Sequence, residues 1–386
     1  MPSPPHVALV VETSIVYGRR LLAGVTRYLR SHRPWSVFLE QREYGAAPPD
    51  WLDDWKGDGL IFRTPTTDLV RRALRRGIAC VSLYDGESAG RLPRIRADHH
   101  AIGRLAAEHL LERGFRHFAF CGFSEQHWAT ERRAGFLAGL GVPASEVAMY
   151  ESPWFGPRSH PWEREQQAIG RWLAKLPRPV GLMACNDMRG QHVLDSCQRA
   201  GVAVPEEVAV VGVDDDELLC DLCNPPLSSV APNPELLGYE AAALLESLMA
   251  GNTADPLERT VPPIGLTPRQ STDVLAIDDP SVAAAVRLIR ERACNGITVK
   301  DILRDVPVSR SALERLFRRY LGRSPQAEIR AVRLKRVKQL LVETDLPLDR
   351  VAELSGFAHA EYLSVTFRRN TGQTPGRFRA KAQGTG

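Results

Sequence analysis

The sequence predicts a two-lobed α/β domain over residues 1–270, a linker over residues 271–280, and an all-α domain with two helix-turn-helix motifs over residues 281–386. Three observations predict it. Short β-rich runs alternate with helical stretches, the mark of a parallel sheet covered on both faces. That alternation runs through twice at similar length, which gives two lobes and a cleft. Near the C-terminus the β-rich runs stop and one phrase occurs twice: Phe317-Arg-Arg-Tyr-Leu-Gly322-Arg-Ser-Pro325 returns as Phe367-Arg-Arg-Asn-Thr-Gly372-Gln-Thr-Pro375, fifty residues on.

In the first array, His6 to about Glu12 reads as an apolar strand, and a helix follows from about Gly18 to Arg30 with Leu21, Leu22, Val25 and Leu29 inward. Strands at Trp35–Glu40 and Gly59–Arg63, a helix through Leu69 and Leu74, and a strand at Ile78–Leu83 complete it. The second array starts at Asp98, which opens a helix to about Arg113. Strands at His117–Gly122, Val147–Tyr150, Val180–Cys185 and Val208–Val213 then alternate with helices at Glu131–Leu140, Glu163–Leu176 and Asp187–Ala200. Ligands of such sheets bind beyond the carboxyl ends of the strands, so a site is expected on the loops just after them.

In the C-terminal part, Leu313, Leu316, Phe317 and Tyr320 share one helical face, opposite Ser311, Glu314, Arg315 and Arg318. The second copy puts Leu363 and Phe367 inward and Glu361, Ser364, Val365 and Arg368 outward. Each copy ends at a Gly suited to a left-handed C-cap, and Ser324-Pro325 and Thr374-Pro375 restart the chain as an N-cap with Pro at the first helical position. A short helix precedes each copy, marked by Val299, Ile302 and Leu303 and by Leu348, Val351 and Ala352. Two such helices joined by a tight turn describe a helix-turn-helix, whose second helix can enter a DNA major groove. Ser324 caps a connecting helix to about Thr344, roughly 28 Å long at about 1.5 Å per residue, close to the roughly 34 Å of one duplex turn. The competing reading is a small helical bundle whose basic face is merely solvated.

Charge separates the two parts. Residues 281–386 hold 21 Lys and Arg against 10 Asp and Glu, +11, which leaves 29 against 36, −7, for residues 1–280. A polyanionic partner therefore belongs to the C-terminal domain. The seven scattered cysteines point to reduced thiols, and Cys220-Asp-Leu-Cys223 lacks the second pair of a zinc site. No run is long and apolar enough for a membrane span, and the start MPSPPHVALVVE lacks a signal-like pattern, so a cytoplasmic protein with no membrane partner is expected. No nucleotide-binding glycine loop, nucleophile elbow or zinc-protease helix occurs; no cofactor, metal or catalysis is expected. His99, His100 and His109 read as surface or half-buried histidines rather than metal ligands.

The strand ends carry carbohydrate chemistry instead. Sugar hydroxyls donate and accept, so their receptors use carboxylate, amide and guanidinium groups with an aromatic ring against the C–H face. Such groups follow five strands: Tyr17 and Arg19, Asp85, Trp128 and Arg132, Asn186 and Asp187, and Asp214 and Asp215. Taken singly, Asp187 reads equally as a helix N-cap and Asp214–Asp216 as a solvated turn.

From about residue 281 the chain resembles the DNA-binding domain of the AraC/XylS family, in SRSALERLFRRYLGRSP and VAELSGFAHAEYLSVTFRRNTGQTPGRFR. By position, the resemblance implies base-facing residues Ser311, Glu314 and Arg315 in the first motif and Ala360, Glu361, Ser364 and Val365 in the second, with Ser309, Arg318, His359 and Arg368 as further DNA contacts. Pro307 stands where many members have the turn glycine, and Glu314 accepts from cytosine N4 but repels phosphate.

Residues 6–270 are similar to the effector domain of LacI-type repressors and to type I periplasmic-binding-protein-like sugar receptors. The likeness is carried by Arg132 with Gly135-Phe136, Cys185-Asn186-Asp187, Val204-Pro-Glu-Glu-Val208 through Gly212-Val-Asp-Asp215, and Leu227-Ser-Ser-Val230. It implies Arg132, Asn186 and Asp214 as the main sugar contacts and Asn233 as a hinge-region contact. An effector domain of this type joined to an AraC-type reader, with Trp128-Ala-Thr-Glu-Arg132 and Arg269-Gln-Ser-Thr-Asp273, resembles regulators of xylose catabolism. That implies a D-xylose effector, double-stranded promoter DNA and RNA polymerase as partners, a homodimer, and transcription activation. Another pentose or a hexose as effector, or a sugar receptor that does not bind DNA, are the rival readings.

Overall fold

The computed structural model describes residues 3–46, 49–63, 68–86, 92–154, 161–274, 279–344 and 346–382. The chain divides into two compact units, Met1–Val274 and Leu275–Gly386.

In the first unit, β1 (His6–Val10), α1 (Val16–Ser31), β2 (Ser36–Leu39), β3 (Gly59–Phe62), α2 (Asp68–Arg75), β4 (Ala79–Ser82) and β5 (Arg94–Ala97) build one lobe. The other lobe begins with α3 (His99–Glu112), β6 (His117–Ser124), α4 (His127–Leu140) and β7 (Val147–Pro153). It continues through α5 (Trp162–Leu173), β8 (Val180–Ala184), α6 (Asp187–Arg199), β9 (Val208–Val213), α7 (Glu217–Leu222) and β10 (Ser228–Ala231). The chain then returns to the first lobe for α8 (Pro234–Met249), which packs on α1, and for β11 (Glu258–Val261). It crosses back once more for β12 (Gly265–Thr267). The sheet orders are β11-β5-β4-β3-β1-β2 and β12-β10-β9-β8-β6-β7, and the recorded pairs are parallel except β10 with β12. Three crossings thus join the lobes, where two consecutive arrays would need one.

The alternation expected from sequence is present, with differences at its edges. Within the first unit, β5 and the elements after Val213 carry no sequence expectation, and α4 starts at His127, a turn before the expected Glu131. The side chain of Leu69 lies outside the described residues. Central strands are apolar on both faces and fully covered: Val7, Ala8, Leu60, Ile61, Phe62, Ala119, Phe120, Leu182 and Val208–Val211 are inaccessible to solvent. Two glycines set how closely α3 and α4 approach. A Cβ at Gly103 would lie 2.1 Å from the Arg132 carbonyl oxygen, and one at Gly135 2.2 Å from that of His100. Backbone cannot yield as a side-chain tip can, so only glycine allows this crossing, which brings His99 and Arg132 within reach of each other.

Residues 270–272 form a buried turn rather than free linker. Ser271 Oγ donates to the Val210 carbonyl at 2.6 Å and accepts from Ser228 N–H at 2.8 Å. The beginning of the expected linker therefore belongs to the first unit; residues 275–278 lie outside the described residues, and Asp279 already caps the next helix.

The second unit is helical: α9 (Pro280–Arg292), α10 (Val299–Asp305), α11 (Arg310–Leu321), α12 (Pro325–Glu343), α13 (Leu348–Leu354), α14 (Ala360–Thr371) and α15 (Pro375–Ala382). The two copies of the repeated phrase are α11 and α14, ending at Gly322 and Gly372 with φ of 66° and 76°. Each copy has its own core. Val286, Ile302, Leu313 and Phe317 pack with Ile329 from the start of α12, while Val351, Leu363 and Phe367 pack with Val337 and Leu341 from its end. One helix of 19 residues thus spans both motifs.

Candidate functional site

A cavity of about 220 Å³ opens between the two lobes at the carboxyl ends of their strands. A cavity of about 150 Å³ takes one benzene ring, so this one is on the scale of a single sugar ring. Of the residues singled out in sequence, Tyr17, Arg19, Asp85, Trp128, Arg132, Asn186, Asp187 and Asp214 line it, and Asp215 is not among its lining residues. Asn233 is not among its lining residues: its Oδ1 accepts from Leu236 N–H at 3.1 Å and caps α8.

One chain of hydrogen bonds runs across the cavity from lobe to lobe. Arg132 reaches it from α4, donating from one terminal nitrogen to the Cys185 carbonyl at 2.7 Å, from the other to Asp214 Oδ1 at 3.1 Å, and from Nε to His99 Nδ1 at 3.3 Å. With Nδ1 accepting, the His99 proton sits on Nε2, which donates to Asp85 Oδ1 at 3.0 Å. His99 is therefore a buried member of the cavity wall, where the sequence suggested a surface or half-buried histidine. Arg63, at the end of β3, pairs with Glu12 and donates to Asp85 Oδ2 at 3.3 Å. Its guanidinium lies 4.6 Å from the Tyr17 ring centroid and 5.6 Å from that of Tyr44, as that of Arg132 lies 4.8 Å from the Trp128 ring. Trp128, Tyr44 and Trp154 form an aromatic wall: Trp128 Nε1 donates to the Tyr44 hydroxyl at 3.0 Å, and the Tyr44 and Trp154 centroids are 4.9 Å apart.

The electrostatics follow the burial. Asp85 is held below the usual carboxylate range because the His99 ring and the Arg63 and Arg132 guanidinium groups outweigh its burial. Asp214 goes the other way, raised by burial against the pull of Arg132. Asp187 is raised well above the ordinary value by burial and then by Asp214. Burial and the neighbouring Asp85 likewise raise the Tyr17 phenol.

The capping role considered for Asp187 belongs to Asn186, whose Oδ1 accepts from Arg189 N–H at 2.9 Å. Asp187 is freed for the cavity side and accepts from Ser229 Oγ at 2.6 Å and Asp216 N–H at 2.9 Å. Asp214 and Asp215 have φ of 113° and 47°, conformations costly for residues with a side chain, and this strain is held at the site. Arg19 lines the cavity, with its guanidinium on the Thr13 and Ser14 carbonyls at 2.9 and 3.0 Å. Sequence reasoning missed Arg63, His99, Tyr44 and Trp154. Arg63 alone left a signal, as a charged residue ending an apolar strand. Among the described residues no group of three or more His, Cys, Asp or Glu could hold a metal ion, and none of the seven cysteines is in a disulfide.

In the second unit, α11 presents Ser309, Ser311, Arg315 and Arg318 as exposed residues, with Glu314 half-buried beside Arg310 at 3.5 Å. Ser309 also caps α11 through Ala312 N–H at 3.2 Å. On α14, His359, Glu361, Val365 and Arg368 are exposed and Ala360 and Ser364 half-buried, and Tyr362 stands out beside them at 59% exposure. No helix of the described residues is long and apolar enough to cross a membrane.

A two-lobed receptor fold with a polar, aromatic-walled cavity, followed by two helix-turn-helix motifs, defines the class of effector-responsive transcription regulators. Residues 107–272 match the periplasmic binding protein-like domain family and residues 302–381 a helix-turn-helix domain family. The chain is 32% identical to the xylose operon regulatory protein of Escherichia coli strain K12, over 97% of its own length and 96% of the relative's. It is 32% identical to that of Haemophilus influenzae, over 97% of each chain. The solved structure of the xylose-binding transcription activator xylR superposes with a TM-score of 0.81 at 29% identity, covering 98% of both chains. The chain belongs to the xylose operon regulatory protein family.

Proposed function

We propose that the cavity binds D-xylose and that its occupancy controls how the two helix-turn-helix motifs engage promoter DNA. The sugar contacts are Tyr17, Arg19, Asp85, Trp128, Arg132, Asn186 and Asp214. Ser309, Ser311, Glu314, Arg315 and Arg318 of the first motif, and His359, Ala360, Glu361, Ser364, Val365 and Arg368 of the second, face the duplex. The protein works in the cytoplasm as a homodimer that activates transcription through RNA polymerase, with residues 1–274 sensing and residues 279–386 reading. The relatives' names supply the sugar. The observation that carries the reading is the Arg132–Asp214 pair set beside the Trp128 ring in a cavity sized for one ring. A carboxylate and a guanidinium held rigidly side by side can exchange paired hydrogen bonds with neighbouring hydroxyls, while the indole covers a C–H face.

The test is calorimetric titration of D-xylose, L-arabinose and D-ribose into wild type and Asp214→Ala. D-xylose is expected to bind most tightly, and the substitution to cost about 1.5–3 kcal/mol for each charged hydrogen bond lost. No heat with any pentose, or an affinity unmoved by the substitution, removes this site.

A further inference from the structure

A second cavity, of about 290 Å³, adjoins the first. The two share Tyr44, Arg63, Asp85 and Trp128, so they stand back to back across one wall. The wall is closed by side-chain hydrogen bonds: the Tyr44 hydroxyl accepts from Trp128 Nε1 at 3.0 Å and donates to Gln126 Oε1 at 3.2 Å. Each cavity is of single-ring size, and the second repeats the chemistry of the first. Beyond the shared residues it is lined by the Glu12 carboxylate, which pairs with Arg63, the Arg42 guanidinium, which pairs with Glu40 at 3.0 Å, the amide of Gln126 and the ring of Tyr84. Acceptors, donors and ring faces in this mixture suit vicinal hydroxyls and C–H faces. A wholly apolar ligand would strand these polar groups, and an anion would meet the carboxylates of Glu12 and Asp85.

We infer that the effector site takes a two-ring carbohydrate as well as a single pentose, with one ring in each cavity and the Tyr44 side chain turned aside between them. Of the four shared residues, Tyr44 stands on the loop after β2, so turning it aside breaks its hydrogen bonds to Trp128 and Gln126 and its ring contacts with Arg63 and Trp154, and no strand pairing. The inference rests on the pentose reading above and enlarges the ligand class of that site to pentose disaccharides.

The test titrates the full-length protein with D-xylose and with xylobiose, as wild type, Ala46→Trp and Tyr84→Ala. Ala46 and Tyr84 line the second cavity and are not among the lining residues of the first. Wild type is expected to bind xylobiose at least as tightly as xylose. Ala46→Trp fills the second cavity and should weaken xylobiose by about tenfold or more while leaving xylose within about twofold; Tyr84→Ala, which removes a ring face of the second cavity alone, should weaken xylobiose about fivefold. If Ala46→Trp does not fold, Tyr84→Ala carries the test. Xylose binding without xylobiose binding, or a xylobiose affinity that neither substitution moves, overturns the inference and leaves the pentose site standing. No binding of either sugar overturns both.

Discussion

Asp85 and Asp214 end one hydrogen-bonded chain through His99 and Arg132, and their acidities are displaced in opposite directions. Asp85 stays ionised because cationic and polar neighbours surround it, whereas Asp214 is raised by burial. A sugar hydroxyl donating to Asp214 favours the ionised carboxylate, so binding lowers the raised value and releases protons. Affinity should therefore strengthen as pH rises through the Asp214 value of the empty site and level off above it, by at most about tenfold per pH unit for each proton released. Titrations between about pH 4 and about pH 7, in buffers of different ionisation enthalpy, read both the slope and the released protons. Asp214→Asn should flatten the slope, and a wild-type affinity independent of pH would place the sugar elsewhere. Eight cavity residues were legible because polar groups directly after strands are where such folds keep their ligands. Tyr44 was not, since its loop carries no periodic signal. Nor was His99, whose burial comes from the α3–α4 crossing, a contact that spacing along α3 alone cannot reveal.

The helices of the second unit were the most readable elements. Glycine C-caps, Ser-Pro starts and a doubled apolar face all specify the same local structure, and each works within a few residues. β5, β11 and β12 were unreadable for the opposite reason. Arg94–Ala97 and Glu258–Val261 pair with each other through their backbones and join their side chains by Arg94–Glu258 and Arg96–Glu258 ion pairs, which no hydrophobic period announces. On α11, Arg315 is exposed one turn beyond Ser311, on the face away from Leu313 and Phe317. Arg315→Ala should weaken binding to the promoter by about 1–3 kcal/mol and relax sequence preference at one base position, while leaving folding intact. A gel-shift titration against wild-type and single-base operator variants measures both, and an unmoved midpoint would take Arg315 out of the reading set.

At the scale of the whole molecule, the segment by which the chain leaves the first unit is bolted to the elements that carry the cavity. Asp215, next to Asp214, pairs with Arg269 at 2.8 Å and accepts from Thr267 Oγ1 at 2.8 Å. Ser228, next to the Asp187 partner Ser229, shares a hydrogen bond with Thr272 Oγ1 at 2.7 Å. At the far end of α3 from His99, His109 Nε2 contacts that same threonine hydroxyl at 2.8 Å, with burial and then Arg113 pushing the His109 pKa down to about 4. A rearrangement of Asp214 about its strained backbone therefore bears on Arg269 and Thr272 before it bears on anything beyond them. Coupling of this kind can be no larger than the difference in sugar affinity between the two DNA-binding arrangements. Arg269→Ala removes the ion pairs to Asp215 and Asp221 and touches none of the proposed sugar contacts. It should leave xylose affinity within about threefold, yet shrink the xylose-dependent shift of the DNA-binding midpoint to below about threefold, under the usual range of allosteric coupling. Paired calorimetry and gel-shift titrations of the same preparation separate the two effects. A variant that kept the full xylose-dependent shift would show that the signal leaves the cavity by another path.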